Sequence, residues 1–186
     1  METNTSPQRP KLQPHIRWMI RIDMPEVQHI ENVCFAFPWQ DADFMRCLRQ
    51  RNCIGMVAVN HHDRVMGFMI YELHKNRLHL LSMAVDPVFQ RYGVGSAMIE
   101  KLIGKLSADR RNRMMLEVRE TNIAALLFFK SHGFRAISVL RDFYEDSAED
   151  AYLMQYRYQC SPVAVDPVIG GMAGPVNRVS QGGRQE

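Results

Sequence analysis

Gln90-Arg91-Tyr92-Gly93-Val94-Gly95 lies between two stretches of different period. Before it, Leu78 to Val85 is an apolar, strand-like run. After it, Met98, Ile99, Leu102, Ile103 and Leu106 recur at the three-and-four spacing of a helix face. A glycine-containing turn from strand to helix lets backbone N–H groups converge on an anion and leaves no Cβ to block its approach. The helix behind it adds the positive end of its dipole, and Arg91 and Ser96 flank the turn. The expected ligand carries phosphate. No Gly-Lys-Ser/Thr follows, which disfavours a P-loop nucleotide, and the spacing is not that of a dinucleotide fingerprint. A tight turn that binds nothing could be spelled the same way, so the loop suggests a ligand class and no reaction.

Working outward, Ile16 to Ile22 alternates like a strand. Asp23-Met24-Pro25-Glu26 then supplies a capping residue, a first-turn proline and a glutamate three after the cap, the start of a helix carrying Val27, Ile30, Val33 and Cys34 on one face. A second helix is expected from Asp41 to about Gln50. Cys53 to Val59, Val65 to Leu73 and Leu78 to Val85 are separated by the short polar turns His61-His62-Asp63 and Lys75-Asn76, and read as an antiparallel meander. A helix from Gly95 to Leu106 and a strand from Met114 to Val118 follow. Asn122 is placed to cap a helix ending at His132, with Gly133 as its stop. Phe134 to Leu140 and Ala151 to Tyr158 complete the sheet. The order predicts an α/β sandwich around a mixed sheet. Residues 1–14, with three prolines, and residues 159–186, rich in glycine, proline and small residues, are expected to be unfolded extensions of a domain spanning 15–158.

With 186 residues, 46% apolar and 23% charged, the chain is long enough for one well-buried domain. A net charge of +3 with scattered basic residues gives no footprint for nucleic acid. No apolar run is long enough to span a bilayer, and the N-terminus lacks the basic start and apolar stretch of a signal peptide. Cys34, Cys47, Cys53 and Cys160 form no Cys-x-x-Cys pair and have no histidine at metal spacing, so reduced thiols, a cytoplasmic location and no metal are expected.

Asp86-Pro87-Val88-Phe89 followed by the glycine loop resembles the acetyl-CoA signature of the GNAT acetyltransferases. Leu116-Glu117-Val118-Arg119, Asn122 and Phe128-Phe129-Lys130-Ser131-His132-Gly133-Phe134 are similar to the second half of that family. Ala36-Phe37-Pro38-Trp39, Arg141-Asp142-Phe143-Tyr144 and Glu149-Asp150-Ala151 narrow the resemblance to the RimI-type N-alanine acetyltransferases of ribosomal proteins. The match covers roughly residues 15–158. It implies a mostly antiparallel seven-stranded sheet with about four helices, in which the fourth and fifth strands splay apart. It also implies acetyl-CoA as cosubstrate, with its pantetheine arm on the backbone of Met83, Ala84 and Val85. Its pyrophosphate would lie on the N–H groups of residues 91–96 (Arg91, Tyr92, Gly93, Val94, Gly95 and Ser96) after Gln90, and Asn122 and Phe129 would contact the arm.

By the same resemblance Glu117 is the general base, near the end of the fifth strand in an otherwise apolar run; an ordinary ion pair with Arg119 or another neighbour is the alternative. The tyrosine expected as general acid is Phe129 here, which has no proton to give. Tyr144, Tyr92 or a water could replace it, or the thiolate could leave unassisted. His79 on the fourth strand is a second candidate base, whereas His61 and His62 belong to a solvated turn.

An α-amine with pKa near 8 is roughly 10% neutral at pH 7, and a lysine about 0.04%, so a protein N-terminus demands far less of the base. The acidic stretch Asp142, Glu145, Asp146, Glu149 and Asp150 would favour a basic peptide, with Phe37 and Trp39 walling its slot or anchoring the core. The expected activity is acetylation of a protein N-terminus, possible targets including ribosomal proteins. A small-amine or lysine acetyltransferase and a non-catalytic acetyl-CoA-binding regulator are the alternatives.

Overall fold

In the computed structural model, residues 12–159 are described. They run in the order β1 (His15–Trp18), α1 (Met24–Cys34), α2 (Asp41–Leu48), β2 (Cys53–Val59), β3 (Val65–Leu73), β4 (Arg77–Val85), α3 (Val94–Ile103), β5 (Arg113–Arg119), α4 (Ile123–Ser131), β6 (Arg135–Tyr144) and β7 (Glu149–Arg157). Apart from residues 12–14 and 159, the expected extensions and Cys160 lie outside the described residues.

The strands form one sheet in the order β1-β2-β3-β4-β5-β7-β6. Short polar turns make β2, β3 and β4 a meander, whereas the connection through α3 returns the chain parallel to β4. β2 and β3 are apolar on both faces because helices cover both. Under α3 and α4 lie Met69, Tyr71, Leu78, Met98, Leu102 and Phe134. Under α1 and α2 lie Val27, Ile30, Phe44, Val57 and Phe68.

β4 and β5 pair only through Arg77–His79 and Arg113–Met115. Beyond that point they diverge. A bulge in the β3–β4 ladder, where Ile70 faces Ser82 but Tyr71 faces Leu80, sits just past the last pair and bends β4 there. The splay expected from the family resemblance is present.

Two local readings are corrected. β1 stops at Trp18 and does not run to Ile22, because Asp23 pulls the chain into a 3-10 turn. Its carboxylate takes both guanidinium nitrogens of Arg17 at 2.8 Å and the Ile20 N–H at 2.8 Å. Asp23 therefore does not cap α1 with its side chain. Glu26 likewise makes no capping box: its carboxylate accepts the Val65 N–H at 2.6 Å, tying α1 to β3. Asn122 does cap α4, accepting the Ala125 N–H at 3.1 Å, and Gly133 ends it at φ +86°.

Candidate active site

Where β4 and β5 part, two cavities of about 1030 Å³ and about 500 Å³ meet along Cys34, Phe35, Met83, Asn122, Ala125 and Phe129. They are the two arms of one cleft through the sheet.

The larger arm is walled by Met83, Ala84 and Val85 of β4, by Gln90, Arg91, Gly93, Gly95 and Ser96 of the loop and α3, and by Asn122 and Phe129. Left-handed backbone at Arg91 (φ +67°) and Gly93 (φ +88°) folds the loop ahead of the first turn of α3. A Cβ at Gly95 would come within 3.3 Å of the Phe128 ring, so glycine there lets α3 and α4 approach. Val94 is among the predicted site residues, but its side chain is buried in the core and only its backbone belongs to the loop. Tyr92 does not line the cavity, and its carbonyl accepts the Leu12 N–H at 2.9 Å. Gln90 Nε2 donates to the Val85 carbonyl at 2.9 Å, bracing the loop on β4; the Cys34 thiol reaches the same carbonyl. A backbone cradle at a helix N-terminus, opening onto strand edges that pair with no neighbour, suits a phosphate-bearing ligand with an amide-containing arm.

The smaller arm holds Glu117, Tyr144, Glu31, Phe37, Trp39 and Arg119. Glu117 Oε2 lies 2.7 Å from His79 Nε2. The contact follows from the register: His79 faces Met115 in the last parallel pair, and Glu117 projects from the same face of β5. The two candidate bases are thus one hydrogen-bonded pair. The alternative pairing with Arg119 does not form, because Arg119 is held by Asp146 and Glu149, each at 2.7 Å, and by Ser147 at 2.6 Å.

The Arg119 guanidinium lies 3.8 Å above the Tyr144 ring and 5.0 Å from the Phe37 ring. Burial, more than the nearby charges, raises the Tyr144 hydroxyl above its ordinary pKa, so it stays protonated. Phe129 lines both arms and packs edge-on against Phe128 and Phe134. Trp39 does both things expected of it, lining the arm and packing edge-on against Phe44. His61 and His62 are exposed in their turn, as expected.

Glu31 was not singled out by the sequence reading. It is 2% exposed; Oε1 accepts the Trp39 N–H at 2.9 Å, and Oε2 has no hydrogen-bond partner among the described residues. Burial pushes its carboxyl up to about 6. The available signal was a carboxylate inside an apolar stripe, between Ile30 and Cys34 on the face that Val27 begins.

The acidic rim is largely neutralised. Asp146 and Glu149 bind Arg119, and Asp150 binds Arg141. Only Asp142 and Glu145 of that set make no ion pair among the described residues.

Residues 24–134 match the model of the acetyltransferase (GNAT) family. The chain is 34% identical over 134 residues to the [ribosomal protein bS18]-alanine N-acetyltransferase of Escherichia coli K12, covering 71% of this chain and 89% of that enzyme. The crystal structure of the E. coli ribosomal-protein-S18-alanine N-acetyltransferase superposes with a TM-score of 0.70 at 28% identity, over 83% of this chain and 99% of that one. Ard1 of Thermoplasma volcanium gives 0.71 at 26% identity, over 80% and 99%. Fold, loop and relatives agree, and the chain belongs to the GNAT family of N-acetyltransferases.

Proposed function

We propose that this enzyme transfers the acetyl group of acetyl-CoA to the α-amine of a protein N-terminus, with Glu117 as the base that frees the amine. One observation carries the reading. Glu117 lines the arm of the cleft that joins the phosphate-suited arm, and His79 backs it from outside the lining at 2.7 Å. The relatives named for alanine N-acetylation of a ribosomal protein support the acceptor class, and a ribosomal protein N-terminus is the first candidate substrate.

The backbone of Met83 to Val85 and of residues 91–96 would hold acetyl-CoA. The Asn122 Nδ2 remains available to it, since the cap uses only Oδ1. The cosubstrate supplies an acyl group activated as a thioester. Glu117 takes a proton from the incoming ammonium, directly or through a water, and His79 shares that proton across the 2.7 Å contact. The α-amine's low pKa makes this one carboxylate–imidazole pair sufficient. The Tyr144 hydroxyl, kept protonated in the same arm, is the donor for the departing thiolate. Phe129 contributes shape and excludes water. Asp142 and Glu145 give the arm's rim a preference for basic peptides. Cys34, Cys47 and Cys53 are free thiols whose pKa burial raises, and no described helix is long and apolar enough to cross a membrane; a cytoplasmic site of action is part of this proposal.

The test is a panel of acceptors with acetyl-CoA: peptides beginning with Ala or Ser, N-blocked peptides with an internal lysine, and free polyamines. Turnover on the first class is expected. Preference for lysine or polyamine would overturn the acceptor assignment, and tight acetyl-CoA binding with no turnover on any amine would mark a non-catalytic binder.

A further inference from the structure

His79 faces a second cluster on the side away from the cleft. Glu72 of β3 is its direct cross-strand partner. His74, two residues after Glu72, returns to the same face of the sheet, and its Nε2 lies 3.0 Å from Glu72 Oε2. The rings of His74 and His79 are 6.2 Å apart between centroids. One ligand-competent atom from each of Glu72, His74 and His79 falls within 4.8 Å of the others. All three side chains are partly exposed, so an ion reaches them from solvent without opening the fold.

We propose that Glu72, His74 and His79 form a zinc-binding site whose occupancy switches off acetyl transfer. Two imidazoles and a carboxylate are a zinc donor set that leaves a fourth position for water. Bringing the donors to bonding distance needs side-chain shifts of about 1 Å. The backbone beneath is fixed, because Arg111 Nε donates to the His74 carbonyl at 2.8 Å.

The inhibitory consequence rests on reading His79–Glu117 as the proton-accepting pair. A neutral imidazole has one ring nitrogen with a free lone pair. Zinc on Nε2 breaks the contact with Glu117. Zinc on Nδ1 leaves Nε2–H donating to Glu117 but removes the lone pair that would receive a second proton. Either way the ion holds His79, and Glu117 loses the imidazole with which it shares the substrate's proton. The zinc is an inhibitor here and has no part in the transfer.

Calorimetric titration of the full chain with Zn²⁺, alongside initial-rate assays, tests both halves. The wild type is expected to bind one equivalent at this site and to lose activity in step with occupancy. His74→Ala and Glu72→Gln should each bind Zn²⁺ at least tenfold more weakly, resist inhibition and retain the zinc-free rate. His61→Ala/His62→Ala should behave as wild type. Equal Zn²⁺ affinity in the wild type and both single variants would overturn the site, whatever the acceptor proves to be. Loss of binding in the variants without any effect of Zn²⁺ on the wild-type rate would overturn the switch.

Discussion

Glu117 and His79 come from neighbouring strands, and each limits what the other can do. Replacing Glu117 with Gln keeps the shape and a hydrogen-bonding group but removes the proton acceptor. Turnover should fall by roughly tenfold or more while acetyl-CoA affinity stays near wild type; a kcat unchanged in E117Q would remove Glu117 from the base role. Phe129→Tyr restores a phenol where the family resemblance expects one. It should fold normally, and a rise in kcat would show that proton donation to the thiolate limits the wild type.

Glu31 makes a different prediction. Its folded pKa of about 6 exceeds the ordinary 4.5, so the fold favours its protonated form. That contribution is fully present below pH 4.5 and is lost as pH rises through about 6. The stability difference between Glu31→Gln and the wild type should therefore change by about 2 kcal/mol across this window, read from urea midpoints against pH. A difference independent of pH would show that Glu31 titrates normally. Among individual residues, Asn122 as a cap and the cleft-lining positions of Glu117, Gly93 and Gly95 were legible because a motif or cap places them. Glu31 was not, since helical periodicity assigns its position to the core and cannot say that one carboxylate oxygen is left without a partner. Nor could the sequence show that His79 and Glu117 touch, because that depends on a parallel register 38 residues apart.

At the scale of elements, the strand–loop–helix unit β4-loop-α3 depends on backbone that only some residues adopt. Gly93 sits at φ +88°, so a β-branched side chain there is strained wherever it points. Gly93→Val should abolish measurable acetyl-CoA binding in calorimetry while leaving a folded protein by circular dichroism; normal affinity would dissociate the loop from the cofactor. Most element positions were readable because β2 and β3 are apolar runs bounded by polar turns and α3 carries a helical period. The start of α1 falls where Asp23 and Pro25 place it, but the capping role of Asp23 and Glu26 was misread, because tertiary partners, Arg17 and the Val65 N–H, hold both carboxylates. The left-handed Arg91, two residues before Gly93, is equally invisible to pattern reading.

For the whole molecule, helices on both faces leave the gap between β4 and β5 as the route through the sheet, and the proposed reaction has cofactor and acceptor approach from its two arms. The arm proposed for the acceptor is less acidic than the sequence suggests, because Arg119 and Arg141 neutralise three of the five carboxylates of that stretch. Asp142→Asn with Glu145→Gln should raise KM for a basic peptide and leave kcat little changed; an unaltered KM would place peptide selection elsewhere. The mixed sheet and its order of elements were legible from the chain, and the larger arm suits the phosphate-bearing ligand that the loop implied. The charge state of the rim was not, since Arg119 and Asp146 meet only after the β6–β7 turn folds back.

One competition tests the central claim most directly. A single peptide beginning with Ala, with a free α-amine and one internal lysine, is incubated with the enzyme and acetyl-CoA, and the acetyl group is located by fragmentation mass spectrometry. The account predicts acetyl on the α-amine, with lysine acetylation lower by about two orders of magnitude, and loss of that product in E117Q. Acetyl on the lysine, or an α-amine product undiminished in E117Q, would contradict it.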